Sequence, residues 1–331
     1  MADRPTRAAG ALLLAVLSAA AFGTSGSFAS SLLATGWTPG AAVTVRVAVA
    51  AAVLTVPAAR QLRGRWHLLR RGWPTVVAYG VVAVAGAQLA YFSAVQHLSV
   101  GVALLLEYCG VLLVVGWAWL RHGQRPRRRT VAGSAVAIVG LVLVLDVLGG
   151  ARIDPVGLAW GMGAAVGLAT FFVVSARADQ AVPPLAAAWA GLAVGAVVLA
   201  ALGLSGVLPF RAGTGTVQLL GARTSWLVPV AGMSLVAAVL AYTAGIAAAR
   251  RLGATPASFV GLTEVLFAVL FAWLLLGQVP TAAQALGGLV VLAGIALVQA
   301  DRSAGPAPGA PAEPAADGVA VADPQGSAAV T

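Results

Sequence analysis

Apolar tracts recur along the whole chain, at about 10–33, 40–58, 73–94, 100–120, 130–146, 156–175, 184–205, 225–248, 254–276 and 281–299. Each approaches or exceeds the roughly 18 residues that mark a bilayer-crossing helix. A chain of 331 residues that is 60% hydrophobic and 9% charged cannot hide so much apolar surface inside a water-soluble globule, because soluble domains carry about 25% charged residues. Lipid is therefore the solvent, and there the backbone must satisfy its own polar groups, which selects helices. The expected class is an all-α integral membrane protein with ten transmembrane helices. Arg4 and Arg7 ahead of an apolar run that ends in FAS at 28–30 imitate a secretory leader, but nine further spans predict a retained first helix.

The net charge of +10 is explained by its distribution. All twenty basic side chains are arginine. With the N-terminus in the cytoplasm, sixteen fall on the inner side, Arg46 falls inside a span, and only Arg152, Arg211 and Arg223 lie outside. The positive-inside rule then places both termini in the cytoplasm of a multi-pass inner or plasma membrane protein. A topological cause for the basic loops argues against nucleic acid as a partner. From residue 301 to 331 the composition turns to Pro, Ala and Gly with scattered acids, which predicts a disordered cytoplasmic tail.

The chain repeats itself. A shift of 154 residues lays LRHGQRPRRRTVAG (120–133) over LLLGQVPTAAQALG (274–287), and residues 110–145 then match in 14 of 36 positions without a gap. Trp119 meets Trp273, Gln124 meets Gln278, Pro126 meets Pro280 and Gly140 meets Gly294. A shift three residues shorter aligns LAY (89–91) with LAY (240–242). The basic loop with Arg125, Arg127, Arg128 and Arg129 overlies an uncharged one with Val279, Thr281, Ala282 and Ala283. One copy is inside and the other outside. Five spans per repeat is odd, so the copies are inverted, and substrate sites in inverted-repeat transporters lie near the midplane between repeats. The expected division is 1–148 for the first repeat and 149–300 for the second. Spacings such as Gly157, Gly161 and Gly191, Gly195 suit close helix packing in a bilayer.

Only Arg46, Glu107 and Glu264 place a formal charge clearly within the spans. Each costs about 2.5–3.5 kcal/mol or more at the bilayer centre, so each needs a partner, a wet cavity or neutralisation. At 1.5 Å per residue, Arg46 and Glu107 both lie about 10 Å from the outer face, and pairing between them is expected. Glu264 lies about 15 Å deep and is the candidate proton carrier, while Glu107 is the candidate for orienting a substrate amine. Snorkelling of Arg46, or helix packing by protonated acids, remains the structural alternative. Gln88, Tyr91, Tyr242 and Trp160 are further candidates for the site, against packing or interface anchoring.

LTEVLFAVLFAWLLLGQ (262–278) and LLLEYCGVLLVV (104–115) resemble the ninth and fourth helices of EamA-type members of the drug/metabolite transporter superfamily, over roughly residues 10–300. The nearest motif likeness is to the threonine/homoserine exporter branch. Val265 and Val111 stand where that pattern has proline, and Gln278 where it has glutamate. Arg46 falls where the family commonly places an arginine. The resemblance implies a secondary transporter that exports small metabolites, amino acids or related compounds first, by alternating access, with protons as candidate coupling ions. Import, or multidrug and cation efflux on the same fold, stay open as alternatives. An intramembrane enzyme is the reading of a different class. His67, His97 and His122 sit in or beside loops, no span holds an aspartate near its centre, and HExxH and GxSxG are absent. No catalytic residue, metal or cofactor is expected; the partners expected are substrate, protons and membrane lipid.

Overall fold

The computed structural model describes residues 4–110, 112, 113, 116, 117, 120, 128–144, 154–177, 182–252, 257 and 260–303. It is helical almost throughout. Besides a short helix at Trp66–Arg71, the helices are α1 (Arg4–Leu33), α2 (Pro39–Gln61), α3 (Trp73–His97), α4 (Val100–Tyr108), α5 (Arg128–Val144), α6 (Pro155–Arg177), α7 (Pro184–Leu204), α8 (Leu227–Leu252), α9 (Thr263–Leu276) and α10 (Ala282–Ser303). Each of α1 to α10 falls on one of the ten apolar tracts. Five of them, α1, α2, α3, α7 and α8, are by themselves long and apolar enough to cross a membrane. The basic loop at 121–127 and the tail beyond residue 303 lie outside the described residues, while α10 continues through residues 301–303, which were expected to be disordered.

Local chemistry explains the ends. Thr38 caps α2, its hydroxyl accepting from the Ala41 amide at 3.4 Å, with Pro39 in the first turn where its missing N–H is harmless. Gly277 closes α9 in the left-handed region at φ 69°. Its amide bonds to Trp273 O at 2.9 Å, the αL cap, and that of Gln278 reaches Ala272 O at 3.1 Å. Gly277 and Gln278 thus form a helix stop.

Packing is reciprocal between the halves. α1 lies along α8 and α9, and correspondingly α6 lies along α3 and α4; α2 pairs with α7, and α5 with α10. Such exchange of partners is what a pseudo-two-fold axis produces. The α5–α10 contact shows it most closely: a Cβ on Gly140 would meet Val291 N at 2.5 Å, and one on Gly294 would meet Ala137 N at 2.4 Å. Gly294→Ala must push the helices apart, and a loss of about 1–3 kcal/mol is expected, as for other overpacked contacts. Thermal unfolding in detergent measures it, and an unchanged midpoint would rule out the close crossing.

Two features have no counterpart in the apolar pattern. α3 is π-helical over Tyr79–Gly86, and α8 over Gly232–Leu240, at corresponding places in the repeats. Hydropathy cannot separate this winding from α-helix, since both are apolar all round. Between α7 and α8 a hairpin of β1 (Thr216–Leu219) and β2 (Ala222–Ser225) turns through Leu220 and Gly221, both at positive φ. Val217 and Leu219 are buried, Leu220 N bonds to Leu275 O at 2.9 Å, and Trp37 Nε1 donates to Gly213 O at 2.8 Å. The hairpin therefore covers the end of the bundle opposite to the one at which α1 begins.

Candidate functional site

Arg46 is the fully buried centre of a polar cluster. Its NH1 donates to Ser25 Oγ on α1 at 2.6 Å and to Gln88 Oε1 on α3 at 2.5 Å. NH2 donates to the carbonyl of Ala237, inside the π-helical part of α8, at 2.5 Å, and the guanidinium lies 5.5 Å from the centre of the Phe92 ring. These bonds and the cation–π contact offset the desolvation of the charge. They also tie α1, α3 and α8 to α2.

The expected ion pair with Glu107 does not form. Equal depth does not make neighbours: α2 packs chiefly on α7 and α8, whereas α4 packs chiefly on α6 and α9. Arg46 does not snorkel either, because its NH1 and NH2 groups find acceptors within the bundle.

From Arg46 the cluster runs on, Gln88 Nε2 donating to Tyr242 Oη at 3.3 Å. Tyr242 stands edge-on to Phe22 at 5.0 Å and to Phe171 at 6.3 Å. Gln88, Tyr91 and Tyr242 line a cavity of about 90 Å³ whose wall also carries Ser25, Glu107, Tyr108 and Glu264. That space is large enough for several waters. Its lining runs on through Ala15, Ala248 and Ala257, so the cavity extends from mid-bundle toward the end where α1 begins. Glu107 is 8% exposed, and among the described residues its carboxylate has no hydrogen-bond partner.

Glu264 is held from the other repeat. The Tyr108 hydroxyl lies 2.6 Å from the Gly261 carbonyl and 3.0 Å from Glu264 Oε2. The helices are broken here although the resembling prolines are missing. In the fourth span Cys109 N bonds three residues back to Leu106 O at 3.1 Å, and in the ninth Val265 N bonds three back to Leu262 O at 3.2 Å. In the 154-residue register Cys109 overlies Thr263, so the breaks correspond, and tightened i−3 bonds do what proline does elsewhere. Broken helices at membrane depth are tolerated where they line a cavity, as these do.

The structure thus brings Gln88, Tyr91, Glu107, Tyr242 and Glu264 to one cavity and sets Arg46 directly behind it. Trp160 is elsewhere: 40% exposed, it sits with Gly86, Gly163 and Gly167 in a groove on the outside of the bundle, between α3 and α6. Tyr108, Ser25, Phe22 and Phe171 were not expected in the site. Tyr108 could have been found beside Glu107 in the EY pair; a serine or phenylalanine in an apolar span carries no such signal.

Sequence comparison now identifies the fold. The profile of the EamA-like transporter family matches residues 9–146 and again 155–300, once per repeat. The chain belongs to the EamA-like transporter family. This EamA-like protein is 25% identical over 241 residues to the uncharacterized transporter YwfM of Bacillus subtilis strain 168, covering 71% of this chain and 76% of that one. It is 31% identical over 72 residues to the pseudopaline exporter CntI of Pseudomonas aeruginosa, covering 22% of this chain and a quarter, 25%, of the exporter. A crystal structure 22% identical to it superposes with a TM-score of 0.60 over 88% of this chain and 97% of the other, a likeness of fold. Family membership and the apolar helices mark it as a multi-pass membrane protein of a transporter family.

Outside the spans, Asp154 joins the repeats at the end opposite the cavity mouth. Its Oδ1 accepts from Val156 N at 2.8 Å and Gly157 N at 3.2 Å, capping α6, and its Oδ2 lies 2.7 Å from Nδ1 of His97 on α3. The Gly157 amide first, then His97 and the Val156 amide, hold this carboxyl below its usual range against weak desolvation. A lowered folded value contributes stability above the unfolded value of about 3.9 and loses it as pH falls through the folded one. Asp154→Ala should therefore lower the thermal midpoint at pH 7, with the gap to the parent closing in acid. A pH-independent gap would show that the charge plays no part.

Proposed function

We propose that this transporter exports small amine-bearing metabolites, amino acids and related compounds first, by alternating access, with Glu107 receiving the substrate ammonium and Glu264 carrying a coupling proton. The observation that carries the reading is the unpartnered carboxylate of Glu107 on a cavity wall between the repeats. An ionised carboxylate in such surroundings is strongly unfavourable alone and favourable against a cation. Phe22 and Tyr242 on the same wall offer aromatic surface to a cation. The name of the Pseudomonas relative supports the outward direction. Counterflow in proteoliposomes with radiolabelled amino acids and amines, with and without a pH gradient, tests the assignment; no exchange of any amine-bearing compound would reject it.

One observation favours the cation-efflux alternative. The cavity wall carries two carboxyls and, among the described residues, no basic side chain, Arg46 being committed behind it. A matched set of leucine, isoamylamine and 4-methylpentanoate separates the two: preference for the amine over the amino acid selects cation efflux.

The repeats are proposed to divide at 148/149, with both termini and the tail at 301–331 in the cytoplasm. Cysteines placed by Arg127→Cys and Thr281→Cys should then be labelled from opposite faces by an impermeant maleimide. Labelling of both from one face would contradict the orientation.

A further inference from the structure

We propose that Tyr108 converts the protonation of Glu264 into movement of the ninth span, because its single hydroxyl proton can serve Gly261 or Glu264 but not both. The inference rests on the proton-coupling role of Glu264 proposed above. The geometry behind it is a count of donors. Tyr108 Oη lies 2.6 Å from the Gly261 carbonyl, which can only accept, and 3.0 Å from Glu264 Oε2. A tyrosine hydroxyl has one proton to give and can also accept. If that proton goes to Gly261, the contact with Glu264 needs a proton from the acid. The arrangement is then closed: Glu264 O–H donates to Tyr108, and Tyr108 donates to Gly261.

Gly261 is where such a donor matters. The next amide that could serve its carbonyl in a regular helix, that of Val265, bonds instead to Leu262 O at 3.2 Å. Tyr108, from the other repeat, supplies the donor and thereby holds the break open. When Glu264 loses its proton to cavity water it becomes an acceptor only, and a charged acceptor makes a bond roughly twice as strong as a neutral one. The Tyr108 proton turns to it. The Gly261 carbonyl is left without its donor at membrane depth, where that is strongly unfavourable. The chain restores a partner by letting the Val265 amide return, which straightens the ninth span and shifts Glu264 relative to the fourth. One proton on one acid thus selects between a broken and a continuous helix across the repeat interface. Other titratable groups facing this acid are Glu107 on α4, Arg46 on α2, Tyr91 on α3 and Tyr242 on α8; the cavity faces of α1 and α6, with Ser18, Phe22, Ser25, Leu168 and Phe171, bring none.

The test compares Tyr108→Phe with Glu264→Gln in proteoliposomes, reading the ratio of substrate accumulation with and without a one-unit pH gradient, and its pH profile. Tyr108→Phe keeps the ring and removes the hydroxyl. Its ratio of accumulation with and without the gradient should fall to near one, and the double variant should be no worse than either single one. If Glu264→Gln loses the gradient effect and Tyr108→Phe keeps both the ratio and the profile of the parent, the inference is overturned and the coupling reading stands. If Glu264→Gln keeps the gradient effect, the coupling reading fails and takes the inference with it. A second measurement needs no change at Tyr108. Infrared difference spectra of the parent should show the carbonyl band of the protonated acid, identified by its loss in Glu264→Gln, titrating together with a tyrosine C–O band. Titration of the acid with every tyrosine band unmoved would also overturn the inference.

Discussion

Glu264→Gln is expected to abolish accumulation driven by a pH gradient while substrate exchange at equal pH survives. One proton moving down a one-unit gradient supplies about 1.4 kcal/mol, enough for a tenfold concentration ratio at equilibrium. Glutamine has the shape of the protonated acid but cannot release the proton, so the tenfold ratio should fall to about one. The reason to expect this at Glu264 is its position: deep in the ninth span, on the cavity wall, with Tyr108 as its hydrogen-bond partner from the opposite repeat. Accumulation measured against internal volume in proteoliposomes decides it, and a ratio that stays near ten in the variant assigns the acid to packing.

For Glu107→Gln the expected loss is in binding. A hydrogen bond to a charged group is worth about 1.5–3 kcal/mol, so replacing the carboxylate by an amide should raise the half-saturating concentration of an amine substrate about 10- to 150-fold. Since the carboxylate has no hydrogen-bond partner among the described residues, the change orphans nothing in the resting protein, and the unfolding midpoint should hold or rise. That combination, weaker binding with undiminished stability, separates a substrate ligand from a structural acid. A drop in stability with unchanged affinity would reverse the assignment.

The two acids differ although both were read as intramembrane carboxyls. Glu264 is engaged by a partner across the repeat boundary and Glu107 is open to the cavity. Arg46 shows how a charge can be essential to the site without touching what passes through it. By holding Ser25, Gln88 and Ala237 it fixes three helices, and through Gln88 it sets the place of Tyr242.

The tracts, the repeat and its inversion were legible because they rest on properties that add up along the chain. Apolar length decides what enters lipid, and an odd number of spans forces the second copy upside down. The three intramembrane charges were equally visible, since a charge in an apolar run has no ordinary explanation. Which of them meet was not. Depth is one coordinate, whereas contact depends on helix rotation and on which helices are neighbours; Arg46 and Glu107 agree in the first and part company in the rest. Nor could the broken fourth and ninth spans be read, because Val111 and Val265 carry no breaking signal and the breaks depend on bonds to Leu106 and Leu262 and on a hydroxyl from the other repeat. The same holds for Trp160, an aromatic in a span whose face only the packing of α3 against α6 could assign. Sequence alone determined the membrane, the ten spans and which ionisable groups lie within them; the tertiary structure decided which of those groups face one another, because hydrogen bonds of 2.5–3.3 Å between repeats, such as Arg46 to Ala237, are set by the docking of helices and not by their order in the chain.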